Sequence, residues 1–390
     1  MSSDPVVYFA HRGTMQNVLA RMAEEMAAAL DGTGLEGRLF DPAGPSLATF
    51  AADFNAGRVA GLVSVNMYNA LPPEVLAVWN ACGLPAFFYC TDHPYLGWEG
   101  YRQVLDTWRN PLFSMTGEDE VALAGRLFGQ PERFQVLRQG AVPHAEAPWQ
   151  GRDIDHLVIG NNPIPVWFPG IHDPEAFRNT WPLLGGPVTS ARLNRMVEDN
   201  RADPRKPLAD LVDDAVGDEP VELAEKIRLG KILGLYLCAH VRAWALHVLL
   251  QTDTVVAGMG WEYLEVPNRR GRLIGGVDSR ETMALTARAR RLYNLSPAMF
   301  SCSERLLEAV ALGTPVVTNR SAFLQRTFGD CLSTFDTLDE LVAIVTACEP
   351  EDVVRERVAR ARRIFLAGHT WAHRARVIAE TLRTVPPARG

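Results

Sequence analysis

Residues 292–320, LYNLSPAMFSCSERLLEAVALGTPVVTNR, decide the fold that this sequence predicts. The apolar runs 292–295 and 316–318 have strand composition. Between them Ser303 is suited to cap a helix whose apolar residues recur at helical spacing, and Gly313 ends that helix. A strand, a helix and a second strand in this order predict a parallel α/β sheet.

The same segment has the pattern of a binding site for a phosphorylated ligand. A helix that begins just beyond the carboxyl end of a parallel strand presents unpaired N–H groups and the positive end of its dipole. Glu308 follows a little more than one turn later and is placed to accept hydrogen bonds from sugar hydroxyls. The spacing therefore indicates a nucleotide-sugar site. An ordinary amphipathic helix with solvated glutamates is the alternative.

Composition limits the classes of function. The chain has 390 residues, 47% of them apolar, which favours two domains with substantial cores. A net charge of −7 argues against nucleic-acid binding. We expect a cytoplasmic protein without an integral membrane segment, because no apolar run has spanning length and the N-terminus lacks a signal-peptide pattern. The six cysteines form no C-x-x-C pair and are expected to be reduced and mostly buried.

Lysine is scarce, and this restricts how the chain can bind phosphate. Its only lysines are Lys206, Lys226 and Lys231, which excludes a Walker A lysine and leaves few candidates for a pyridoxal Schiff base. Backbone N–H groups or an arginine must neutralise any phosphate bound near residues 292–320. Arg305 and Arg320 are the nearest arginines in sequence.

Strand-like and helix-like segments alternate in both halves of the chain, which predicts two open parallel sheets. The expected strands are 6–9, 61–65, 86–89, 112–115, 134–137, 157–160, 254–257, 273–275, 292–295, 316–318 and 332–335. A stretch rich in proline and alanine, 141–153, marks the boundary between an N-terminal domain, 1–150, and a C-terminal domain, 151–368. Within the second domain, 161–187 is expected to be irregular and about 192–250 a helical insert. The last expected segment, 353–384, is two helices separated near Gly368.

Four segments together resemble the carboxyl-terminal half of GT-B glycosyltransferases, particularly the spore-maturation-protein-like (CgeB-like) branch. They are RAWALHVLLQTDTVVAGMGWE at 242–262, GGVDSRETMALTARARRLYNLSP at 275–297, CSERLLEAVALGTPVVTN at 302–319 and HTWAHRARVIAETL at 369–382. The resemblance implies two Rossmann-like domains facing across a cleft, with 369–390 as a helix that returns to the first domain. It also implies a nucleotide-sugar donor in the second domain, an acceptor in the first, and no required metal or further cofactor.

The resemblance also implies which residues bind the donor. Gly258 and Gly260 would let their loop approach the base or ribose, the backbone near Val277 would contact the base, Asn294, Ser303 and Arg305 would line the diphosphate, and Glu308 would bind the ribose hydroxyls. The chain departs from the family at one position. Many retaining GT-B enzymes have a Glu-x7-Glu pattern, but Phe300 and Ser301, which lie eight and seven residues before Glu308, are not glutamates. The stereochemical outcome is therefore left open.

An inverting transfer needs a base from the first domain, and three residues there are candidates. His11 follows the first predicted strand, and Asp92 and His93 follow the strand in FFYCTDHPY. Ligands of open α/β sheets collect at the carboxyl ends of strands. Asp92 acts as the base by itself or orients His93. The alternative is that Asp92 is a turn residue and His11 a loop donor.

One pair of histidines resembles a metal-binding motif only weakly. His369 and His373 have the i, i+4 spacing of zinc ligands but no glutamate between them and no obvious third ligand, so no metal site is predicted. The sequence predicts a metal-independent glycosyltransferase that acts on a protein, glycan or small-molecule acceptor. A nucleotide-sugar epimerase or hydrolase and a non-catalytic GT-B-like binding protein are the alternatives.

Overall fold

The computed structural model describes residues 4–10, 18–41, 46–66, 73–296 and 302–384. The chain forms two compact units. The first unit comprises Met1–Val142 and Gly368–Gly390, and the second comprises Pro143–Ala367. The chain thus passes into the second unit after Val142, eight residues before the boundary expected at 150.

All described strands belong to two sheets. Their bounds are β1 Val6–Ala10, β2 Glu36–Phe40, β3 Val59–Val65, β4 Ala86–Tyr89, β5 Pro111–Met115, β6 Phe134–Val136, β7 His156–Ile159, β8 Thr254–Ala257, β9 Arg272–Leu273, β10 Leu292–Asn294, β11 Val316–Asn319 and β12 Ser333–Phe335. Each strand expected from the sequence is present, with ends that differ by at most two residues.

Helices connect the described strands. Their bounds are α1 Val18–Ala28, α2 Ser46–Asn55, α3 Pro73–Cys82, α4 Trp98–Thr107, α5 Glu118–Phe128, α6 Ile164–Trp167, α7 Pro174–Asn179, α8 Trp181–Ala202, α9 Leu208–Val216, α10 Leu223–Leu249, α11 Ser279–Arg288, α12 Glu304–Ala311, α13 Ala322–Phe328, α14 Leu338–Thr346, α15 Glu351–Gly368 and α16 Trp371–Thr384. Short 3-10 helices occur at Pro131–Arg133, Trp149–Gly151 and Gly329–Cys331.

Both sheets are parallel, as the sequence predicted, and each has six strands. The first has the order β2-β1-β3-β4-β5-β6 and the second β12-β11-β10-β7-β8-β9. The strand order reverses between β1 and β3 in the first sheet and between β7 and β10 in the second. Open α/β sheets bind ligands at such reversals, beyond the carboxyl ends of the strands.

The inner strands of the first sheet are buried on both faces, which explains why they are almost continuously apolar. Successive residues of β1 point to opposite faces, so Val6 and Tyr8 join one core cluster and Val7 and Phe9 join the other. Helices α1 and α16 both contribute to the second of these clusters, with Trp371 among the buried residues of α16. The C-terminal helix is thus part of the core of the first unit.

Strand β2 was not expected from the sequence. Its residues EGRLF mix charged and apolar side chains, because β2 is an edge strand and is only partly buried. Gly37 is also required here, since a Cβ atom at that position would lie 2.2 Å from the carbonyl oxygen of Ala27 in α1. An interior glycine and charged neighbours weaken the strand pattern that sequence analysis depends on.

The expectation that 161–187 is irregular was wrong. This segment contains α6, α7 and the start of α8, so helices occupy the chain from Ile164 rather than from about 192. Pro165, Pro174 and Pro182 all lie in the first two positions of a helix, where a missing N–H breaks no intrahelical bond. The prolines therefore mark helix starts here and do not prevent helix formation.

Helix α10 contradicts the expectation that no apolar run in the chain is long enough to span a membrane. Among the described helices it is the one that is long and apolar enough to cross a membrane by length and composition alone. However, 67% of its most apolar window is buried inside the protein. Its apolar character is explained by packing in the core of the second unit.

Candidate functional site

The donor-binding residues expected in the second unit lie in connections that follow parallel strands. Gly258 and Gly260 follow β8, Val277 lies between β9 and α11, and Asn294 is the last residue of β10. The carboxyl ends of parallel strands meet at one edge of a sheet. The fold therefore brings the expected residues to the edge where ligands bind.

Ser303 and Asn294 fix the start of α12. Ser303 is the N-cap, and its Oγ accepts a hydrogen bond from the N–H of Leu306 at 3.3 Å, as the sequence predicted. The same hydroxyl donates to Asn294 Oδ1 at 2.7 Å, and Asn294 Nδ2 donates to Thr318 Oγ1 in β11 at 3.0 Å. These buried bonds connect two strands and a helix. They hold the N-terminal end of α12 in place at the sheet edge.

Arg242 in α10 was not assigned a role from the sequence, and the structure places it at the reversal of strand order. Its Nη1 donates to the carbonyl oxygen of Asn161, after β7, at 2.6 Å. Its Nε donates to the carbonyl oxygen of Leu295, after β10, at 2.9 Å. One guanidinium thus bridges the two connections that flank the switch point of the second sheet.

The charge of Arg242 is poorly neutralised. Burial, with a smaller effect of the positive charge of Arg305 and an opposing one of Glu304, lowers the pKa of its guanidinium to about 10. Within the described ranges no carboxylate forms an ion pair with Arg242. Arg305 has Glu304 Oε1 as an ion-pair partner at 3.8 Å, and its buried Nε has no hydrogen-bond acceptor among the described residues. Two neighbouring guanidiniums in a low-dielectric setting favour the binding of an anion.

Glu308 lies on α12 three residues after Arg305, so the two side chains share one side of the helix. Its side chain is only about 4% exposed. A carboxylate in this position is well shielded from water, and hydrogen bonds that it accepts there are stronger than at the surface. The proposed contact of Glu308 with ribose hydroxyls stays a prediction.

Local structure explains why both Gly258 and Gly260, after β8, are glycines. A Cβ at Gly258 would lie 2.1 Å from the carbonyl oxygen of Gly160, so only glycine permits this approach of the two loops. Gly260 has φ 82°, a conformation that favours glycine. Val277 is buried one residue before Asp278, the N-cap of α11. Whether these three residues also contact a base or ribose stays a prediction.

Two asparagines join the β7 and β8 connections, and sequence analysis did not single them out. Asn161 Oδ1 accepts from the N–H of Met259 at 2.9 Å, and Asn162 Nδ2 donates to the carbonyl oxygen of Gly260 at 3.1 Å. The available signal was their position directly after a buried strand. They tie the Gly258–Gly260 loop to the same edge that Arg242 bridges.

The two described candidate bases of the first unit, Asp92 and His93, differ in burial. His93 is about 4% exposed, and its Nδ1 accepts a hydrogen bond from the N–H of Tyr95 at 3.3 Å. Burial lowers the pKa of His93 to about 3, so the imidazole is neutral and a weak base near pH 7. Asp92 is partly exposed and accepts a hydrogen bond from Asn66. His11 lies outside the described residues, so of the two described candidates Asp92 is better suited than His93 to accept a proton.

The histidines near the C-terminus have structural partners. His373 Nδ1 lies 2.7 Å from Thr370 Oγ1, and His369 Nδ1 lies 3.1 Å from a nitrogen of Arg374. Burial lowers the pKa of His369 to about 4. In the ranges that the structure covers, no group of three or more histidine, cysteine, aspartate or glutamate side chains is arranged to hold a metal ion.

Comparisons with known proteins identify the fold. Anabaena HepE, solved with UDP-glucose, aligns with a TM-score of 0.55 at 12% sequence identity, over 98% of this chain and 100% of HepE. Sucrose-phosphate synthase from Thermosynechococcus elongatus aligns with a TM-score of 0.51 at 13% identity, over 97% of this chain and 98% of that enzyme. The chain has the GT-B fold.

The sequence comparison agrees with this GT-B assignment. Residues 241–380 match a family model described as glycosyl transferase-like. That span contains Arg242 and all of the expected donor-binding residues, from Gly258 to Glu308. No curated protein matches the sequence. The GT-B fold class predicted from the sequence is confirmed, and assignment to the CgeB-like branch stays a prediction.

Proposed function

We propose that this GT-B protein is a glycosyltransferase that binds a nucleotide-sugar donor at the switch point of its second sheet. The observation that carries the proposal is the pair of guanidiniums, Arg242 and Arg305, beside the N-terminal end of α12. A diphosphate is a compact, multiply charged anion, and it suits two arginines and a helix N-terminus. Glu308 then accepts hydrogen bonds from the ribose.

The structural neighbour HepE suggests which donors to test first. HepE was solved with UDP-glucose, with UDP and glucose, and with UDP, so uridine diphosphate sugars are the first donors to test. We also propose that transfer needs no metal, because two arginines supply positive charge to the leaving diphosphate. Full activity in the presence of a chelator is the expected result.

Asp92 acts as the base in this proposal. An acceptor hydroxyl transfers its proton to the Asp92 carboxylate while its oxygen forms a bond to the anomeric carbon of the sugar. The bond between that carbon and the diphosphate oxygen breaks, and the nucleoside diphosphate leaves with the electron pair. Arg242 and Arg305 stabilise the negative charge that develops on the leaving group. Direct displacement inverts the configuration at the sugar.

Two further parts of the proposal concern the cellular compartment of the protein and its acceptor. The six free cysteines fit a reducing compartment, which supports a cytoplasmic location. The acceptor is a protein, a glycan or a small molecule.

Donor binding and turnover test the proposed function in sequence. Titration calorimetry against UDP-, GDP-, CMP- and dTDP-sugars should give binding to one nucleotide class, since a few precisely placed polar groups determine ligand choice. Product analysis follows, with donor alone and with an acceptor panel. A glycosylated acceptor supports the transferase, whereas conversion of donor alone indicates an epimerase or hydrolase. Binding without turnover indicates a non-catalytic protein, and no binding to any donor contradicts the proposal.

A further inference from the structure

Asn66 occupies an unusual place in the first unit. It directly follows β3, next to the point where the order of the first sheet reverses. Its backbone has φ 58°, in the left-handed region, and the residue is about 1% exposed. A buried non-glycine residue in this conformation costs free energy, and such residues cluster at functional sites.

The hydrogen bonds of Asn66 fix the orientation of its amide. Oδ1 accepts from the N–H of Thr91 at 2.7 Å and from its hydroxyl at 3.1 Å. The backbone N–H donates to the carbonyl oxygen of Tyr89, and the backbone carbonyl accepts from the hydroxyl of Ser64. Because Oδ1 faces two donors, Nδ2 must point the other way, where it donates to Asp92 Oδ2 at 3.3 Å.

Several titratable groups lie around Asp92 at its own strand end. The hydroxyl of Tyr101, in α4, donates to the backbone carbonyl of Asp92 at 3.0 Å. Burial raises the pKa of Tyr101 and of Cys90, so both stay neutral, and burial keeps His93 neutral as well. Glu120 accepts hydrogen bonds from Thr116 and Gly117, and burial raises the pKa of its carboxyl group. The amide of Asn66 is uncharged, so its hydrogen bond orients the Asp92 carboxylate without adding a charge that would neutralise it.

We propose that Asn66 is the positioning residue for the Asp92 base. This inference rests on the proposed function, in which Asp92 accepts the proton of the acceptor. The left-handed backbone of Asn66 allows one side chain to hold Thr91 through its oxygen and Asp92 through its nitrogen. The β3 and β4 strand ends are thereby joined at the carboxylate itself, and the rotamer of Asp92 is selected before the acceptor binds.

The variant Asn66→Asp separates these two contacts. It keeps an oxygen facing Thr91 and replaces the donor facing Asp92 by a second carboxylate oxygen. We expect a 10- to 100-fold lower kcat and a donor KM within twofold of wild type. The acidic limb of the pH–rate profile should move up by at least one pH unit, because a neighbouring carboxylate disfavours the charged form of Asp92.

Two further variants make the result specific. Asn80→Asp is the matched control. The side-chain amide of Asn80 also binds main-chain groups, donating to the carbonyl oxygen of Thr107 and accepting from the N–H of Arg109, and neither bond involves Asp92. The control variant should retain wild-type kcat and pH profile. Asn66→Gly accepts the left-handed backbone without strain and removes the amide. It keeps the test available if Asn66→Asp does not fold, and it should lower kcat without a comparable pH shift.

An unchanged acidic limb in a folded Asn66→Asp protein overturns the inference, even if kcat falls. A second readout separates this failure from failure of the proposed function. The side-chain carbon of Asp92 is followed by NMR in protein labelled at aspartate and assigned with Asp92→Asn. If wild type transfers no sugar, the proposed function fails. An upward shift of the Asp92 titration midpoint in Asn66→Asp then still supports the contact, and an unshifted midpoint overturns it.

Discussion

Replacement of Arg242 by glutamine is the strongest test of the donor site. A guanidinium has five N–H donors, and the carbonyl oxygens of Asn161 and Leu295 use two of them. The remaining donors are available to a diphosphate. A hydrogen bond to a charged group contributes about 1.5–3 kcal/mol. Since each 1.4 kcal/mol is a factor of about ten, Arg242→Gln should weaken UDP or UDP-sugar binding about 10- to 150-fold.

The same variant should have little effect on folding. Glutamine can donate to one of the two carbonyl oxygens, and leaving the other unpaired costs about 1–3 kcal/mol. Removal of a buried charge that lacks a carboxylate partner offsets part of this cost. We expect the free energy of unfolding to stay within about 2 kcal/mol of wild type, as measured by urea denaturation. Arg242→Lys keeps the charge but cannot bridge both carbonyls, so its affinity should be intermediate.

Calorimetric titration of UDP into each variant measures the effect. Arg288→Gln is the matched control, because Arg288 is an exposed arginine of the same unit paired with Asp153 at 2.5 Å. Its affinity should equal that of wild type. The reasoning is refuted if folded Arg242→Gln binds UDP within twofold of a wild-type protein that binds it measurably.

Three further changes test other parts of the structure. Glu308→Gln should weaken UDP-sugar binding about tenfold in calorimetry, because a neutral amide accepts ribose hydrogen bonds less strongly than a carboxylate; equal affinities would remove Glu308 from the site. His93→Asn keeps an acceptor for the Tyr95 N–H and should flatten the pH dependence of unfolding. The pKa of His93 is lowered to about 3, so the unfolded chain binds the proton first and wild-type stability falls with decreasing pH below about 6.5, by up to about 1.4 kcal/mol per unit. Urea denaturation at pH 7 and pH 5 measures the free energy of unfolding of wild type and of His93→Asn. If both proteins lose the same free energy between pH 7 and pH 5, the prediction for His93 is contradicted, since the contribution of His369 is common to both. Gly258→Ala should destabilise the protein by about 1–3 kcal/mol or more, whereas Gly368→Ala, with no atom within 4 Å of the added Cβ, should not; similar melting temperatures would show that the loops after β7 and β8 can separate.

The sequence predicted the sheets well because both are parallel and buried. Strands such as Ala86–Tyr89 and Thr254–Ala257 are short continuous apolar runs, which burial on both faces requires. The cap at Ser303 was predicted because it depends on residues three apart. Edge strand β2 and the proline-initiated helices α6 and α7 were missed, since their local composition resembles that of loops.

The sequence named only part of the candidate site, and the residues that it did not name were missed for one reason. Arg242 binds carbonyl oxygens 81 and 53 residues away in sequence, and Asn66 binds a carboxylate 26 residues away. Nothing in the local pattern of either residue specifies such partners. Candidates such as Arg305 and Asp92 could be named from the sequence because family resemblance and strand ends depend only on position in the chain, and their roles stay predictions.

The strand orders of the two units have an evolutionary consequence. If β9 is removed from the second sheet and β6 from the first, both sheets have the same five-strand order relative to their own first strand. The two sheets therefore differ only in an outermost strand, and β9 has just two residues. Edge strands pair on one side alone, so a lineage can gain or lose them at small cost to the interior. Insertions and deletions in related chains should accordingly collect at these outer edges, while the strands around β1–β3 and β7–β10 keep their lengths.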